Sequence, residues 1–173
     1  MKRVHFLSPE LLVSASADRS VKVWDLRKAT EAVSSVSLAN PVEDFCMAKN
    51  ELYVAHANTI SMVSIQDSKL EQAGDFTLFQ KPIIKISYDP VRERVLAGGL
   101  DSMLKFLEPI ENEGSRSLKV AHKIKLPSEV FSMDMSRDGN HYAMGLNDGS
   151  LVIKSKYLEA PDDGLDHQER LFA

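Results

Sequence analysis

Four times along this chain a short Val- or Leu-rich run, a polar turn and a second apolar run recur at a nearly constant interval. Aligned on Trp24, the equivalent positions are Val63, Leu107 and Lys154, at intervals of 39, 44 and 47 residues. Runs of about 4–8 residues bounded by Gly, Asn, Asp and Ser read as strands, since an amphipathic helix needs a longer apolar stripe. A period of roughly 20–50 residues means that each repeat is one small unit that buries its faces only against its neighbours. The chain is therefore expected to be a row of stacked antiparallel sheets, which excludes a helical repeat.

The first round reads as strands over 1–7, 11–16, 21–26 and 32–38. The second reads as strands over 42–48, 51–57, 60–65 and 75–79, with a polar connection over 66–74. The third has strands over 83–88, 94–99 and 103–107, a long loop over 108–117, and a strand over 118–126. The fourth has strands over 130–135, 141–146 and 151–156, and no fourth strand is expected after them. The repeats thus run over about 1–38, 39–79, 80–126 and 127–156, followed by an acidic tail over 157–173. Within that tail 161–164 is turn-rich, and 165–172 is expected to be a short helix or to stay disordered.

Within the first round, Ser14, the turn residue Asp18 and the closing pair Trp24-Asp25 resemble the inner part of a WD40 repeat. The resemblance implies an all-β fold, a WD40-type β-propeller of four blade-like repeats, incomplete as a ring. The turn acid recurs as Asp101 and Asp148 but is Asn58 in the second round, and no Gly-His pair precedes a first strand. The side-chain network of such blades is therefore expected to be partial, with Ser14, Asp18 and Trp24 linked in the first blade. Ser14, Asp18, Trp24, Asp101 and Asp148 are expected to cap turns and pack.

Composition narrows the function. The net charge is −4 with both signs mixed along the chain, so the basic footprint of a nucleic-acid binder is absent. Lys119, Lys123 and Lys125 alternate along one strand and Lys154 and Lys156 along another, so each set is expected to share a face. Solvated edges are the favoured reading of both sets over phosphate contacts. Cys46 is the single cysteine, so neither an intrachain disulfide nor a cysteine zinc site is available. The five histidines show no metal-type spacing, and Gly98-Gly99 and the 145–149 segment lack the helix and Lys-Ser/Thr of a phosphate loop. Asp162, Asp163 and Asp166 read as solvated charge. A secretory leader is rejected because His5, Ser8, Pro9 and Glu10 interrupt the apolar region it needs. No run approaches the ~18 apolar residues of a membrane span. The expectation is a soluble, intracellular protein without catalytic activity, metal or cofactor.

At the level of whole repeats, segments 40–45, 55–65, 94–107 and 119–127 resemble, in order, stretches of the WD40 proteins associated with U3 small nucleolar RNA. The segments 131–136 and 144–154 resemble that family's last blade. The resemblance covers about 1–156 and implies a nucleolar scaffold of the small-subunit processome, acting in pre-rRNA processing and rRNA transcription. Its partners would be other processome proteins, with pre-rRNA met indirectly and no membrane contact. A WD40 adaptor in another pathway, such as a ubiquitin-ligase substrate receptor or trafficking subunit, is the alternative. Loops of a rigid scaffold commonly carry binding, and Arg19, Asn58, Lys81, Asp101, Glu129 and Asn147 are expected to share one end of the blades. The open flanks are expected to call for upstream blades, a partner's strand or self-association.

Overall fold

A computed structural model describes residues 1–28, 30–112, 115–155 and 170–172. The strands are β1 (Arg3–Phe6), β2 (Leu11–Ala15), β3 (Ser20–Asp25), β4 (Ser34–Ser37), β5 (Val42–Ala48), β6 (Glu51–His56), β7 (Thr59–Gln66) and β8 (Lys69–Thr77). They continue with β9 (Ile83–Asp89), β10 (Arg94–Gly99), β11 (Met103–Asn112), β12 (Ser115–Lys125), β13 (Val130–Met135), β14 (His141–Leu146), β15 (Leu151–Ser155) and β16 (Arg170–Phe172). Consecutive strands pair antiparallel in groups of four, giving four separate sheets: β1–β4, β5–β8, β9–β12 and β13–β16. This is an all-β, WD40-type partial propeller.

Three apolar cores lie between successive sheets. Val13, Val21 and Val23 of the first sheet meet Phe45, Leu52 and Val63 of the second. Tyr53, Ile60 and Met62 meet Ile86, Val95 and Leu107 of the third. Leu96, Leu104 and Phe106 then meet Met144, Leu146 and Val152 of the fourth. Along β6 successive side chains serve alternate cores, which is why that strand reads as a nearly continuous apolar run. None of the three cores joins the first sheet to the fourth.

The register makes Leu12–Trp24, Leu52–Val63, Val95–Leu107 and Tyr142–Lys154 corresponding cross-strand pairs. At this position Val63 packs toward the first sheet and Leu107 toward the second. Among the described residues no sheet packs on the outer flank of the first, and Trp24 stays partly exposed there. Val4 and Phe6 on the same sheet are 51% and 62% exposed.

Several expectations need correction. The polar connection at 66–74 is paired chain: β7 and β8 meet at a tight turn where Asp67 and Ser68 both have positive φ. The expected long loop at 108–117 is also paired, since β11 and β12 continue in register to Asn112↔Ser115. Polar residues had hidden both hairpins. The fourth sheet does have a fourth strand. Arg170–Phe172 pairs with Leu151–Ile153, so the edge of β15 is covered there rather than open. Three residues after an acidic stretch are too few to show alternation. At 170–172 the expectation of helix or disorder therefore fails, and the rest of the tail, with Asp162, Asp163 and Asp166, lies outside the described residues.

The lysines of β12 do not share a face. Leu107 opposes Val120 and Phe106 opposes His122, leaving Ala121 as an extra residue. Such a bulge reverses the alternation. Lys123, opposite Lys105, faces the second sheet, whereas Lys119, opposite Glu108 on the far side of the bulge, faces the other way. Lys154 is only 9% exposed and is no solvated edge residue; Lys156 lies outside the described residues.

Candidate interaction face

In a four-strand antiparallel sheet the turn after the second strand and the connection after the fourth fall at the same end. Arg19, Asn58, Asp101 and Asn147 lie in the β2–β3, β6–β7, β10–β11 and β14–β15 turns, and Lys81 and Glu129 lie in the connections between sheets. Backbone hydrogen bonds stitch these segments together. Arg19 O accepts from Leu38 N at 2.8 Å, Ala57 O from Ile83 N at 2.7 Å, and Pro82 O from Leu100 N at 2.9 Å. Ser102 O accepts from Leu126 N at 2.8 Å, and Glu129 O from Asn147 N at 2.9 Å. The end surface is thereby rigid although it is built from turns.

The six side chains are not equally available. Arg19, Lys81 and Asn147 are exposed, Arg19 being held outward from a left-handed backbone at φ 73°. Glu129 is half-buried and accepts from Ser128 Oγ at 3.1 Å and Asn147 Nδ2 at 3.3 Å. Its own backbone N–H, then Ser128 and Asn147, hold its pKa below the usual glutamate value. Asn58 is turned across to Phe79, donating to its carbonyl at 3.3 Å. Asp101 points inward: its side chain is 6% exposed and pairs with Lys105 at 3.2 Å. Lys105 in turn donates to Leu78 O at 2.9 Å and lies 3.9 Å from the Phe79 ring centre. Lys105 thus ties the third sheet to the chain that leaves the second, and Asp101, which holds it, is not offered to solvent.

The turn acids behave alike. Asp18 Oδ1 accepts from Ser20 N at 2.9 Å and Ser20 Oγ at 2.6 Å, and Asp148 does the same with Ser150 at 2.9 and 2.6 Å. The serine hydroxyl is the main cause that holds each carboxyl below the ordinary aspartate pKa. In the first sheet Trp24 Nε1 donates to Ser14 Oγ at 2.9 Å. Asp18 is not part of that link; it caps its own turn.

Sequence reasoning missed three buried polar clusters. Asp44 is 2% exposed; it accepts from Arg3 Nη1 of the first sheet at 2.8 Å and lies 3.6 Å from Lys85 Nζ of the third. Arg3, Asp44, Lys85 and Ser132 occupy corresponding register positions on the four first strands. Asp89 is fully buried; it accepts from Val91 N at 3.0 Å and Arg92 N at 3.1 Å and pairs with Arg92 and Arg94. Arg92 also donates to Gly139 O of the fourth sheet at 2.5 Å. In the second sheet His56 Nε2 lies 2.6 Å from Ser61 Oγ, which donates to Asp75 Oδ1 at 2.5 Å. His56 is 1% exposed, its Nδ1 has no partner, and burial holds its pKa below the usual histidine value. An aspartate inside an apolar run, as in 42–48, was the one available sign of the first cluster.

In the histidine cluster the serine donates to the aspartate, so the hydroxyl is not activated by the imidazole. Burial pushes the Cys46 thiol far up, which keeps it an inert core residue. Among the described residues no set of three His, Cys, Asp or Glu is placed to hold a metal, and no helix is long and apolar enough to cross a membrane.

Comparison with known proteins agrees with this geometry. Residues 5–25 match the family described as WD domain, G-beta repeat. The chain is 23% identical over 168 residues, 95% of its length, to U3 small nucleolar RNA-associated protein 15 homolog of Bos taurus. It is 23% identical over 162 residues, 88% of its length, to U3 small nucleolar RNA-associated protein 15 of Saccharomyces cerevisiae. It spans 30% of the length of each of these relatives. Among solved structures, the WD40 beta propeller domain of Doa1 superposes with a TM-score of 0.69 at 16% identity, covering 87% of this chain and 49% of that one.

Proposed function

We propose that this WD40 partial propeller is a non-enzymatic scaffold of small ribosomal subunit biogenesis, working in the nucleolus within the small-subunit processome. The observation that carries the reading is the similarity to two U3 small nucleolar RNA-associated proteins along nearly the whole chain. The fold supports it: buried carboxylates lock neighbouring sheets together, and one end presents stitched turns with Arg19, Lys81 and Asn147 exposed. Protein partners would dock there, and pre-rRNA would be reached through them, consistent with a net charge of −4.

The test is affinity capture of the tagged full chain from nucleolar extract, scored for U3 small nucleolar RNA, pre-rRNA and processome proteins. Enrichment of all three is expected. The triple variant Arg19→Glu, Lys81→Glu, Glu129→Lys is expected to lose protein capture and the RNA with it. Recovery of ubiquitin-ligase or coat subunits in their place would overturn the nucleolar reading. Unchanged capture by the triple variant would overturn the assignment of the face.

A further inference from the structure

At the end of the sheets opposite this face, the second and third sheets part to leave a cleft of about 430 Å³. Met62, Pro109, Ile110 and the rings of Tyr53 and Tyr88 give it apolar walls, and Glu51, Glu93 and Glu111 stand around it. Two cations of the chain lie among these acids. Lys49 pairs with Glu93 at 2.7 Å, both side chains being largely exposed. Arg116 reaches from β12 to Glu51 on β6, across 65 positions of sequence, with its Nε 3.7 Å from Glu111. Glu51 is held ready for it by the Tyr53 hydroxyl, which donates to the second carboxylate oxygen at 3.0 Å.

The chain itself therefore shows which group suits the cleft: a guanidinium at Glu51 on an alkyl stem. Room remains with Arg116 in place, and Tyr88 lines it. Three carboxylates against two cations leave the cleft net negative, so a phosphate or an acidic segment is repelled. A guest guanidinium gains charge-assisted hydrogen bonds and an aromatic face. Displacing Arg116 costs little, because one guanidinium replaces another and the Arg116–Glu111 pair is long and exposed.

We propose that this cleft binds an arginine side chain on an extended segment of a protein partner, and that Arg116 occupies the site in cis until the partner arrives. The site lies on the opposite end from the turn face, and its test uses purified protein, so its failure and that of the nucleolar reading are distinguishable. The probe is a fluorescein-labelled peptide with one arginine among Gly and Ser, compared with the same peptide carrying citrulline, which has the arginine shape without its charge. Anisotropy titration of the full chain should show roughly tenfold weaker binding of the citrulline peptide, the loss of one charge-assisted contact. Glu93→Gln, on an exposed turn, should weaken the arginine peptide by a smaller factor, about two- to threefold. Arg116→Ala should instead tighten it, because the competing guanidinium is gone.

Equal binding of the two peptides, no effect of Glu93→Gln, or weaker binding by Arg116→Ala with an unchanged melting curve would each overturn the proposal. Should Arg116→Ala melt early, Arg116→Gln is read in its place against the same expectation. A single-stranded RNA oligonucleotide that competes for the cleft would also overturn it.

Discussion

Arg3 and Asp44, 41 positions apart, meet at 2.8 Å across the boundary between the first and second sheets. The same carboxylate accepts from Ile86 N of the third sheet at 3.3 Å, so one side chain of the second sheet touches both neighbours. Removing the carboxylate takes an acceptor from the buried Phe45 and Ile86 N–H groups as well as from both cations, whereas removing Arg3 leaves the acid its other donors. Asp44→Ala should therefore destabilise the chain by about 3 kcal/mol. Arg3→Ala, at an arginine 42% exposed, should cost about 1 kcal/mol. Urea denaturation of the two variants checks the order; equal and small effects would show that Asp44 is no clamp.

His56 makes stability depend on pH. Burial lowers its folded pKa from 6.5, with Asp75 on β8 pulling weakly the other way. Below the unfolded pKa the unfolded chain takes up a proton that the folded chain refuses, so stability falls as pH drops through about 6.5 toward the lower folded value. His56→Gln should flatten that limb, leaving only the acid limb of the capped aspartates. Chemical denaturation midpoints between pH 5 and 7, on a scale set by the ordinary histidine pKa of about 6.5, decide it.

Gly98 and Gly99 look interchangeable in sequence and are not. A Cβ on Gly99 would lie 2.3 Å from Pro82 O and 2.9 Å from Ile83 Cα, both backbone atoms. At Gly98 it would meet only the Val130 side chain, at 3.0–3.1 Å from its Cβ and both Cγ atoms, a contact that a shift of a few tenths of an ångström relieves. Gly99→Ala should cost about 2 kcal/mol and Gly98→Ala under about 1. Thermal melts of both variants test the contrast, and the reverse order would refute it.

The flank of the first sheet should drive self-association. Val4, Phe6 and Trp24 lie on it with no neighbouring sheet among the described residues, and Phe131 of the fourth sheet is 49% exposed. The apparent mass of the full chain should rise with concentration in light scattering. The double variant Val4→Ser, Phe6→Ser should shift it toward the monomer. A wild-type monomer at every concentration would reject this.

What sequence revealed and concealed follows from range. Strands such as 21–26 and 42–48 are legible because alternation is a local property. The corresponding positions of Trp24, Val63, Leu107 and Lys154 are legible because the period repeats. Asp44 and His56 are paired or buried by residues on other strands, and only the acid inside the apolar run 42–48 marks the first of them; Asp89 has its arginines close by in sequence, but the reach of Arg92 to Gly139 in the fourth sheet is not local. Asp101 looked like an exposed turn residue because its partner, Lys105, is four positions on and in a strand. The β16 strand escaped because it exists only through its pairing with β15.

The extra residue at Ala121 has a consequence for how substitutions along β12 are understood. Inside and outside are a matter of phase there, and the phase slips by one at that alanine. Leu118 and Val120, before the slip, belong with the core shared with the second sheet, whereas Ile124, after it, belongs with the core shared with the fourth. Ala73, left over between Gln72 and Gly74, puts the same slip into β8. Deleting Ala121 would therefore leave both halves on their own cores, because Val120 opposite Leu107 and His122 opposite Phe106 already face opposite ways, as consecutive residues of a regular strand do. Deleting a paired residue such as Lys119 instead would shift one half of the strand by one place and turn its side chains toward the wrong neighbour.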